Sequence, residues 1–176
     1  MPNWVYCTLR ISGDPENVSD FRNQIVNNEI FNSLLPTPQE LNNTPATFHE
    51  EKDYTDQEKA NIEKYGAKDW YHWNYVNLGT KWPDFKTELI AEDTNFIEYQ
   101  THFAWYLPMN GMNTISKRFP DLVFHFLDVE EESRAFAGSI AWKGGLIIDN
   151  QLHECDDDED MDYSYLLNKS WLGRQI

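Results

Sequence analysis

Alternation of apolar with polar residues is the feature that most limits how this chain can fold. In the first alternating stretch the apolar positions are Val5, Cys7, Leu9 and Ile11. A period of two is expected of a strand that buries one face and exposes the other. The same pattern predicts strands at residues 4–11, 85–91, 95–105, 122–129, 134–142 and 146–148. The sequence therefore predicts a sheet with one buried face.

Two helical stretches lie between these strands. Asp14 and Pro15 suit the N-cap and first position of a helix, and Pro108 introduces a second one. The predicted order is β-α-insertion-β-β-α-β followed by a hairpin. This is the split βαβ pattern of an α+β, ferredoxin-like fold, an antiparallel sheet with two helices on one face. The term describes topology only, because Cys7 and Cys155 are too few ligands for the usual iron–sulfur cluster.

The length of 176 residues suits one domain with an insertion. We assign residues 1–150 to the ferredoxin-like domain, with residues 29–83 as an aromatic-rich helical insertion. Residues 151–176 form an acidic tail with an apolar C-terminal end. Within the insertion, Thr55 is expected to begin a polar surface helix that ends at Gly66.

The charge of the chain limits its partners. It carries 30 acidic and 14 basic residues, a formal charge of −16. Such a charge repels nucleic-acid backbones, so direct DNA or RNA binding is not expected. It favours solubility, a basic protein partner or imitation of a nucleic acid. No apolar run is long enough to span a bilayer and the start lacks a secretion signal, so we expect a cytoplasmic protein.

The tail holds the densest cluster of acids, a candidate surface for a basic partner. Its members are Glu154, Asp156, Asp157, Asp158, Glu159, Asp160 and Asp162. These side chains repel one another, and the cluster lacks the glycine and the final glutamate of an EF-hand loop. The more apolar end that follows, with Tyr163 and Trp171, is expected to dock on the body or on a partner.

Residues 70–82 concentrate aromatic side chains and offer the main candidate binding site. The candidate binding residues are Trp70, Trp73, Asn77, Lys81, Trp82 and Trp105. Asp69 can cap a short helix here and Gly79 can end it. Two interpretations stay open: a core plug, which is favoured, or an aromatic surface for a base, a sugar or a protein anchor. The excess of acids favours pairing of Lys81 with a carboxylate. Among the large aromatic residues outside this segment, Trp4 and Phe103 are expected in the core, together with Trp105.

No catalytic constellation stands out, and neither a cofactor nor a metal is expected. The five histidines lack the spacing of metal ligands. A site of His102, His125 and Glu98 on neighbouring strands can be drawn, but half-buried polar residues are the favoured interpretation. Cys7 alternates inward and is expected to be a buried thiol. A non-enzyme is favoured, although the sequence leaves enzymatic activity open.

Several short motifs, taken in order, resemble those of a known family. They are Met1-Pro2-Asn3-Trp4, Asn77-Leu78-Gly79-Thr80-Lys81-Trp82, Phe103-Ala104-Trp105 with Pro108, and Glu130 with Phe136-Ala137-Gly138. They resemble the YubB-like (Api-type) proteins of phages and plasmids over most of residues 1–148. The resemblance implies a ferredoxin-like domain and a mobile genetic element as the setting. It brings no catalytic residues, and the acidic tail matches none of its motifs.

Three functions follow as hypotheses. The first is a non-catalytic protein of a phage or plasmid that binds a host or defence protein. The second is an acidic mimic of DNA that occludes a nucleic-acid-binding protein, of the anti-restriction or anti-CRISPR kind, which would need carboxylates in ordered rows. The third is a nucleotide-binding or sequestering protein, or an enzyme, that uses the tryptophan cluster as a pocket wall.

Overall fold

The computed structural model of the chain describes residues 2–133 and 136–154. The predictions for residues 134–135 and for the tail beyond 154 lie outside the described residues. The strands are β1 (Trp4–Ser12), β2 (Phe85–Asp93), β3 (Phe96–Ala104), β4 (Val123–Glu131), β5 (Phe136–Lys143), β6 (Leu146–Asn150) and β7 (His153–Glu154). The helices are α1 (Pro15–Arg22), α2 (Ile30–Leu34), α3 (Gln39–Asn42), α4 (Asp56–Tyr65), α5 (Trp70–Asn77) and α6 (Met109–Arg118), with a short 3-10 turn at Glu51–Asp53.

The strands form one antiparallel sheet in the order β2-β3-β1-β4-β5-β6, and β7 also pairs with β5. In its first four members, β1 lies between β3 and β4, the helix α1 follows β1, and α6 follows β3. This is the ferredoxin-like arrangement. The predicted fold is confirmed, and the hairpin of β5 and β6 extends the sheet beyond β4.

One face of the sheet carries the core. On β1 the residues Val5, Cys7, Leu9 and Ile11 are all buried, as the alternation predicts. The helices α1 and α6 cover this face. The ring of Phe21 meets Phe124 edge-on at 5.6 Å between centroids, and the indole of Trp142 donates a 2.9 Å hydrogen bond to Asn113. The core thus runs from α1 across the sheet to β5.

The opposite face is polar and open. Its alternating positions on β1 include the exposed Tyr6 and the half-buried Arg10. Arg10 donates a 2.9 Å hydrogen bond to Glu98 on β3, and its guanidinium lies 4.1 Å from the centre of the Phe96 ring. This face therefore has no layer of helices over it in the described part of the chain.

The four helices α2–α5 lie between α1 and β2. Thr55 caps α4 and exchanges a reciprocal pair of hydrogen bonds with Glu58, and Gly66 ends the helix in the left-handed conformation at φ 74°. This confirms the predicted surface helix. Glu58 is buried, and hydrogen bonds, first from the Thr47 hydroxyl and then from the Thr55 backbone, lower its pKa to about 2.

Trp105 contradicts its predicted place in a strand and in the core. Strand β3 ends at Ala104, and Trp105 takes a φ of 72° with its side chain 40% exposed. Both Phe103 and Ala104 are fully buried, so alternation stops at the strand end. A turn reverses the chain there, and the indole moves out to solvent. Of the other two aromatic residues predicted in the core, Phe103 is buried and Trp4 is half-exposed.

In the described residues, no helix combines the length and apolar character that a membrane crossing needs.

Candidate functional site

Helix α5 is fixed at its start by a buried carboxylate. Asp69 is fully buried and accepts a 2.9 Å hydrogen bond from the backbone N–H of His72, as an N-cap does. Its two oxygens also contact the His72 ring at 2.8 Å and accept from the backbone of Thr47 at 3.2 Å. The hydrogen bonds of this one carboxylate, whose two oxygens both have partners, therefore hold the N-terminal end of the helix.

The end of α5 is fixed by Gly79 and Asn74. Gly79 has a φ of 90°, as predicted for the residue that ends this helix, and its N–H donates to the carbonyl of Asn74 at 3.0 Å. A Cβ on Gly79 would stand 3.2 Å from the backbone nitrogen of Met109 on α6. The Asn74 amide donates in turn to the carbonyl of Lys81 at 2.9 Å. The loop after α5 is thus held against the helix that it leaves.

The same loop is attached to the sheet and to α6. The buried hydroxyl of Thr80 donates to the carbonyl of Ala104, at the end of β3, at 2.9 Å. The N–H of Gly111 on α6 donates to the carbonyl of Leu78 at 3.1 Å. Hydrogen bonds at Leu78, Thr80 and Lys81 therefore hold the backbone directly before Trp82.

Around this loop the structure brings together five partly exposed rings and one lysine, a set that we call the aromatic surface. Its members are Trp4, Trp70, Tyr71, Lys81, Trp82 and Phe85. The rings of Trp4 and Phe85 stack at 4.2 Å, and Trp4 lies 5.9 Å from Trp82. Phe85 is 38% exposed, and the other members are half-buried. The surface lies at the end of the sheet where β1 begins.

Lys81 stands among these rings and forms no ion pair with any carboxylate in the described part of the chain, contrary to the pairing that the sequence favoured. Its ammonium lies 4.2 Å from the centre of the Trp82 ring, 5.6 Å from Tyr71 and 5.9 Å from Trp70. Each such contact stabilises a cation by about 0.5–2 kcal/mol. Aromatic faces thus take the place of a carboxylate, and the charge stays available to a partner.

Further rings continue the surface along α5. The phenol ring of Tyr71 lies 4.7 Å from Tyr75, and the exposed ring of Phe48 packs edge-on against Tyr71 at 5.2 Å. Burial first, and then a hydrogen bond with Tyr71, raise the pKa of Tyr75 to about 12. The Tyr75 phenol is therefore neutral at physiological pH. The rings of Phe48, Tyr71 and Tyr75 add aromatic area beside the surface.

The predicted binding residues separate into two groups. Trp70, Lys81 and Trp82 meet on the aromatic surface. Trp73 is buried in the core, and the Asn77 amide donates to the carbonyl of Trp73 at 3.0 Å, so these two residues hold the helix. Segment 70–82 is thus both a core plug and a surface.

Trp4, Phe85 and Trp105 show what the sequence interpretation missed or misplaced. Trp105 is exposed beside the surface, and its N–H donates to the carbonyl of Asn3 at 2.9 Å, but its ring stacks on none of the surface rings in the described structure. Trp4 and Phe85 were not predicted as site residues. The one sequence signal for an exposed Trp4 was its position in the alternation, because Trp4 shares the polar, even-numbered positions of the first strand with Tyr6.

The histidines do not assemble into a site. His102 stands opposite Tyr6, and His125 stands opposite Arg10, so the whole width of β1 and four residues of register separate them. The prediction that His102 and His125 lie on neighbouring strands is therefore wrong. Burial lowers the pKa of His125. Among the described residues no group of three potential ligands could hold a metal ion.

Some acidic residues of the chain are buried, whereas others belong to the predicted acidic partner-binding cluster. Among the described body residues, the buried carboxylates are Glu58, Asp69, Glu98 and Glu131. Because these side chains are almost fully buried, they cannot contribute to a row of surface charges of the kind a DNA mimic needs. Of the predicted acidic partner-binding cluster, Glu154 is exposed on β7, and the six acids from Asp156 to Asp162 lie outside the described residues.

Comparison with known families agrees with the fold. Residues 81–167 match a family model described as a ferredoxin-like domain in Api92-like protein. The chain carries a ferredoxin-like domain. The match supports the Api-like family that the motifs indicated, and it starts at Lys81, in the middle of the aromatic surface. It also runs past β7 into the tail, as far as residue 167. No curated protein and no solved structure matches the chain.

Proposed function

We propose that this chain is a non-catalytic protein of a phage or plasmid that binds a host or defence protein through the aromatic surface. The observation that carries the proposal is the cluster of half-exposed rings around the ammonium of Lys81, which has no carboxylate partner in the described residues. Tryptophan and tyrosine are among the residues most enriched in interface hot spots.

The rigidity of the surface supports binding. Hydrogen bonds from Asn74 to the carbonyl of Lys81 and from Thr80 to the sheet hold the loop directly before Trp82, and the stacked pair Trp4–Phe85 belongs to two sheet strands. A preformed surface loses less conformational entropy when a partner docks. The backbone of this surface therefore suits a protein partner without a large rearrangement.

The charge favours a protein over a nucleic acid. At −16 the chain repels a phosphate backbone, and a single central lysine does not reverse this over the length of a duplex. A basic protein would be drawn to the acidic body while its anchor side chains meet the rings. We therefore infer a basic host or defence protein in the cytoplasm of the host cell.

The test is capture from a host lysate with matched variants. Wild-type chain, Trp82→Ala and Phe96→Ala are immobilised at equal amounts after their thermal melting has been compared. Phe96 is the control because it is an aromatic residue at the far end of the same sheet, under Arg10. We expect a protein that is retained by wild type and Phe96→Ala and lost with Trp82→Ala. Equal retention by all three folded proteins would contradict the proposal.

A small nucleotide is the second candidate occupant, and it is favoured by one observation. The half-buried Trp82 ring lies beside an ammonium without a carboxylate partner in the described structure, so that a base could stack among the rings while a phosphate meets Lys81. Titration of tryptophan fluorescence with nucleotides and cyclic nucleotides tests this. Quenching that Trp82→Ala abolishes would support it, and unchanged fluorescence at millimolar ligand would exclude it.

A further inference from the structure

A cleft of about 420 Å³ opens between α1 and the hairpin of β2 and β3. Helix α1 contributes Val18, Ser19 and Arg22 to its walls, and the hairpin contributes Glu92, Thr94 and Ile97. Ile97 pairs with Ile11 near the end of β1, whereas the aromatic surface lies where β1 begins. Ligand sites measure about 300–1,000 Å³. The cleft therefore suits one small molecule, and it is separate from the aromatic surface.

Next to this cleft, Tyr99 carries a hydroxyl that has no hydrogen-bond partner among the described residues. Tyr99 is fully buried and pairs with Leu9, so its ring lies on the face of the sheet that α1 covers. Burial raises the pKa of Tyr99, and the charges that act on it are those of Arg22 and Glu92, which line the cleft. A buried hydroxyl without a partner is unfavourable. It is therefore a hydrogen-bonding group that a ligand in the cleft can satisfy.

The guanidinium of Arg22 is only partly used. Its Nε lies 3.6 Å from the Glu92 carboxylate, whereas close charge-assisted hydrogen bonds measure about 2.7–2.9 Å. The two side chains are 36% and 57% exposed, and ion pairs at such exposed positions add little to stability. Within the described residues the two terminal nitrogens of Arg22 form neither a hydrogen bond nor an ion pair. Arg22 can therefore exchange Glu92 for the carboxylate of a ligand, which accepts two parallel hydrogen bonds from the guanidinium.

The charges of the cleft define a class of ligand. A carboxylate suits Arg22, and Glu92, once it is released, accepts hydrogen bonds from an ammonium group. The buried side chains of Val18 and Ile97 supply an apolar wall. The charge of −16 on the chain repels a simple anion, whereas a molecule with one positive and one negative group has no net charge. These requirements together describe a free α-amino acid with an apolar side chain.

We propose that this cleft binds a free apolar α-amino acid. Its carboxylate binds Arg22 and the Tyr99 hydroxyl, its ammonium binds Glu92, and its side chain packs against Val18 and Ile97. Because the Tyr99 hydroxyl is out of contact with solvent, binding includes the separation of Arg22 from Glu92, the two exposed side chains whose charges act on it. The site does not depend on the proposed function of the aromatic surface.

Titration calorimetry of the full-length chain with L-leucine tests the site. Three matched probes each lack one feature of leucine: leucinamide lacks the carboxylate, isocaproate lacks the ammonium group, and glycine lacks the apolar side chain. We expect leucine to bind at millimolar concentration or below, and each of the three probes to bind at least about tenfold more weakly. The absence of leucine binding at millimolar concentration would overturn the proposal. A probe that binds as tightly as leucine would contradict the contact that it lacks.

Variants of the full-length chain place the leucine in the cleft. Tyr99→Phe removes only the hydroxyl, and Lys117→Gln is the control for Arg22→Gln because each cation lies in the last turn of its helix. We expect the affinity for leucine to fall at least about tenfold in Tyr99→Phe and Arg22→Gln and to stay unchanged in Lys117→Gln. Unchanged affinity in Tyr99→Phe or Arg22→Gln would overturn the proposal.

The thermal melting of Tyr99→Phe gives a second readout. Because the hydroxyl has no hydrogen-bond partner in the part of the chain that the structure describes, its removal should leave Tm unchanged or raise it. A lower Tm would mean that the hydroxyl already has a structural partner, which would contradict its role in ligand binding. The lysate capture changes none of the residues of the cleft, so the two proposals fail separately.

Discussion

Trp4 stacks on Phe85 with the ring centroids 4.2 Å apart and the ring planes 15° from parallel. Because Trp4 opens β1 and Phe85 opens β2, this pair joins the central strand to the edge strand across β3. Trp82, 5.9 Å from Trp4, links the pair to the loop after α5. The sheet and the helical segment before it thus meet through aromatic rings, and those rings are the surface that we assign to binding.

Truncating Trp4 should cost little stability compared with a core ring. An aromatic pair adds about 0.5–1.5 kcal/mol beyond its area, and Trp4 is half-exposed. Changing the fully buried Phe103 to alanine should lower the free energy of unfolding by about 3–5 kcal/mol. Urea unfolding of Trp4→Ala and Phe103→Ala measures both changes. A Trp4→Ala loss as large as that of Phe103→Ala would show that the aromatic surface is part of the core.

Trp105→Ala should change the free energy of unfolding by less than about 1 kcal/mol, the range of surface substitutions. The reason is that its indole is 40% exposed and stacks on none of the described surface rings. The same urea titration measures the change. A loss near 3 kcal/mol, typical of a core aromatic, would place the ring inside the protein.

Gly79→Val should lower the melting temperature, whereas Lys81→Ala should leave it nearly unchanged. Valine at φ 90° is strained, and its Cβ would crowd Met109 at 3.2 Å. Lys81 loses only contacts of its ammonium with rings. Thermal melting followed by circular dichroism compares the two variants. The reverse order of sensitivity would contradict the structural role of Gly79.

Asp84 should make stability fall as the pH rises from about 4 to 6. It caps α2 by accepting hydrogen bonds from the N–H groups of Phe31 and Asn32 at 3.1 and 2.7 Å, but burial outweighs these bonds and raises its pKa to about 6. Between the unfolded value near 4 and this folded value, the native state binds more protons than the unfolded state, so deprotonation destabilises it.

Urea unfolding from pH 4 to 7 of wild type and Asp84→Asn isolates this effect, because all other carboxyls are shared. The free energy of unfolding of wild type minus that of Asp84→Asn should decrease as the pH rises through 6. It should be constant above about pH 7. A difference that is constant over the whole range would show that Asp84 has an ordinary pKa.

The strands and the buried face could be predicted from the sequence because alternation is a local property. Leu9 and Ile97 are buried as their period of two requires. The prediction that Trp105 lies in a strand and in the core was wrong because the period of two continues in the sequence after the strand has ended.

The aromatic surface could be predicted only in part because it depends on register. Trp70, Lys81 and Trp82 were identified by their local concentration in one segment. Trp4 meets Phe85 only because β3 lies between their strands and because β2 carries an extra residue near Lys86, which takes a φ of 50°. No local pattern encodes that alignment, so Trp4 and Phe85, the part of the surface that the sheet supplies, were missed.

The most direct test of the central claim is the affinity of a captured partner for the aromatic surface. Titration calorimetry would compare wild type, Trp82→Ala and Phe96→Ala, all shown to be folded at the working temperature. We predict that Trp82→Ala raises Kd by about tenfold or more, since the loss of a hot-spot side chain costs above roughly 1–2 kcal/mol, and that Phe96→Ala leaves Kd unchanged. An unchanged Kd for Trp82→Ala would contradict the assignment of this surface as the binding site.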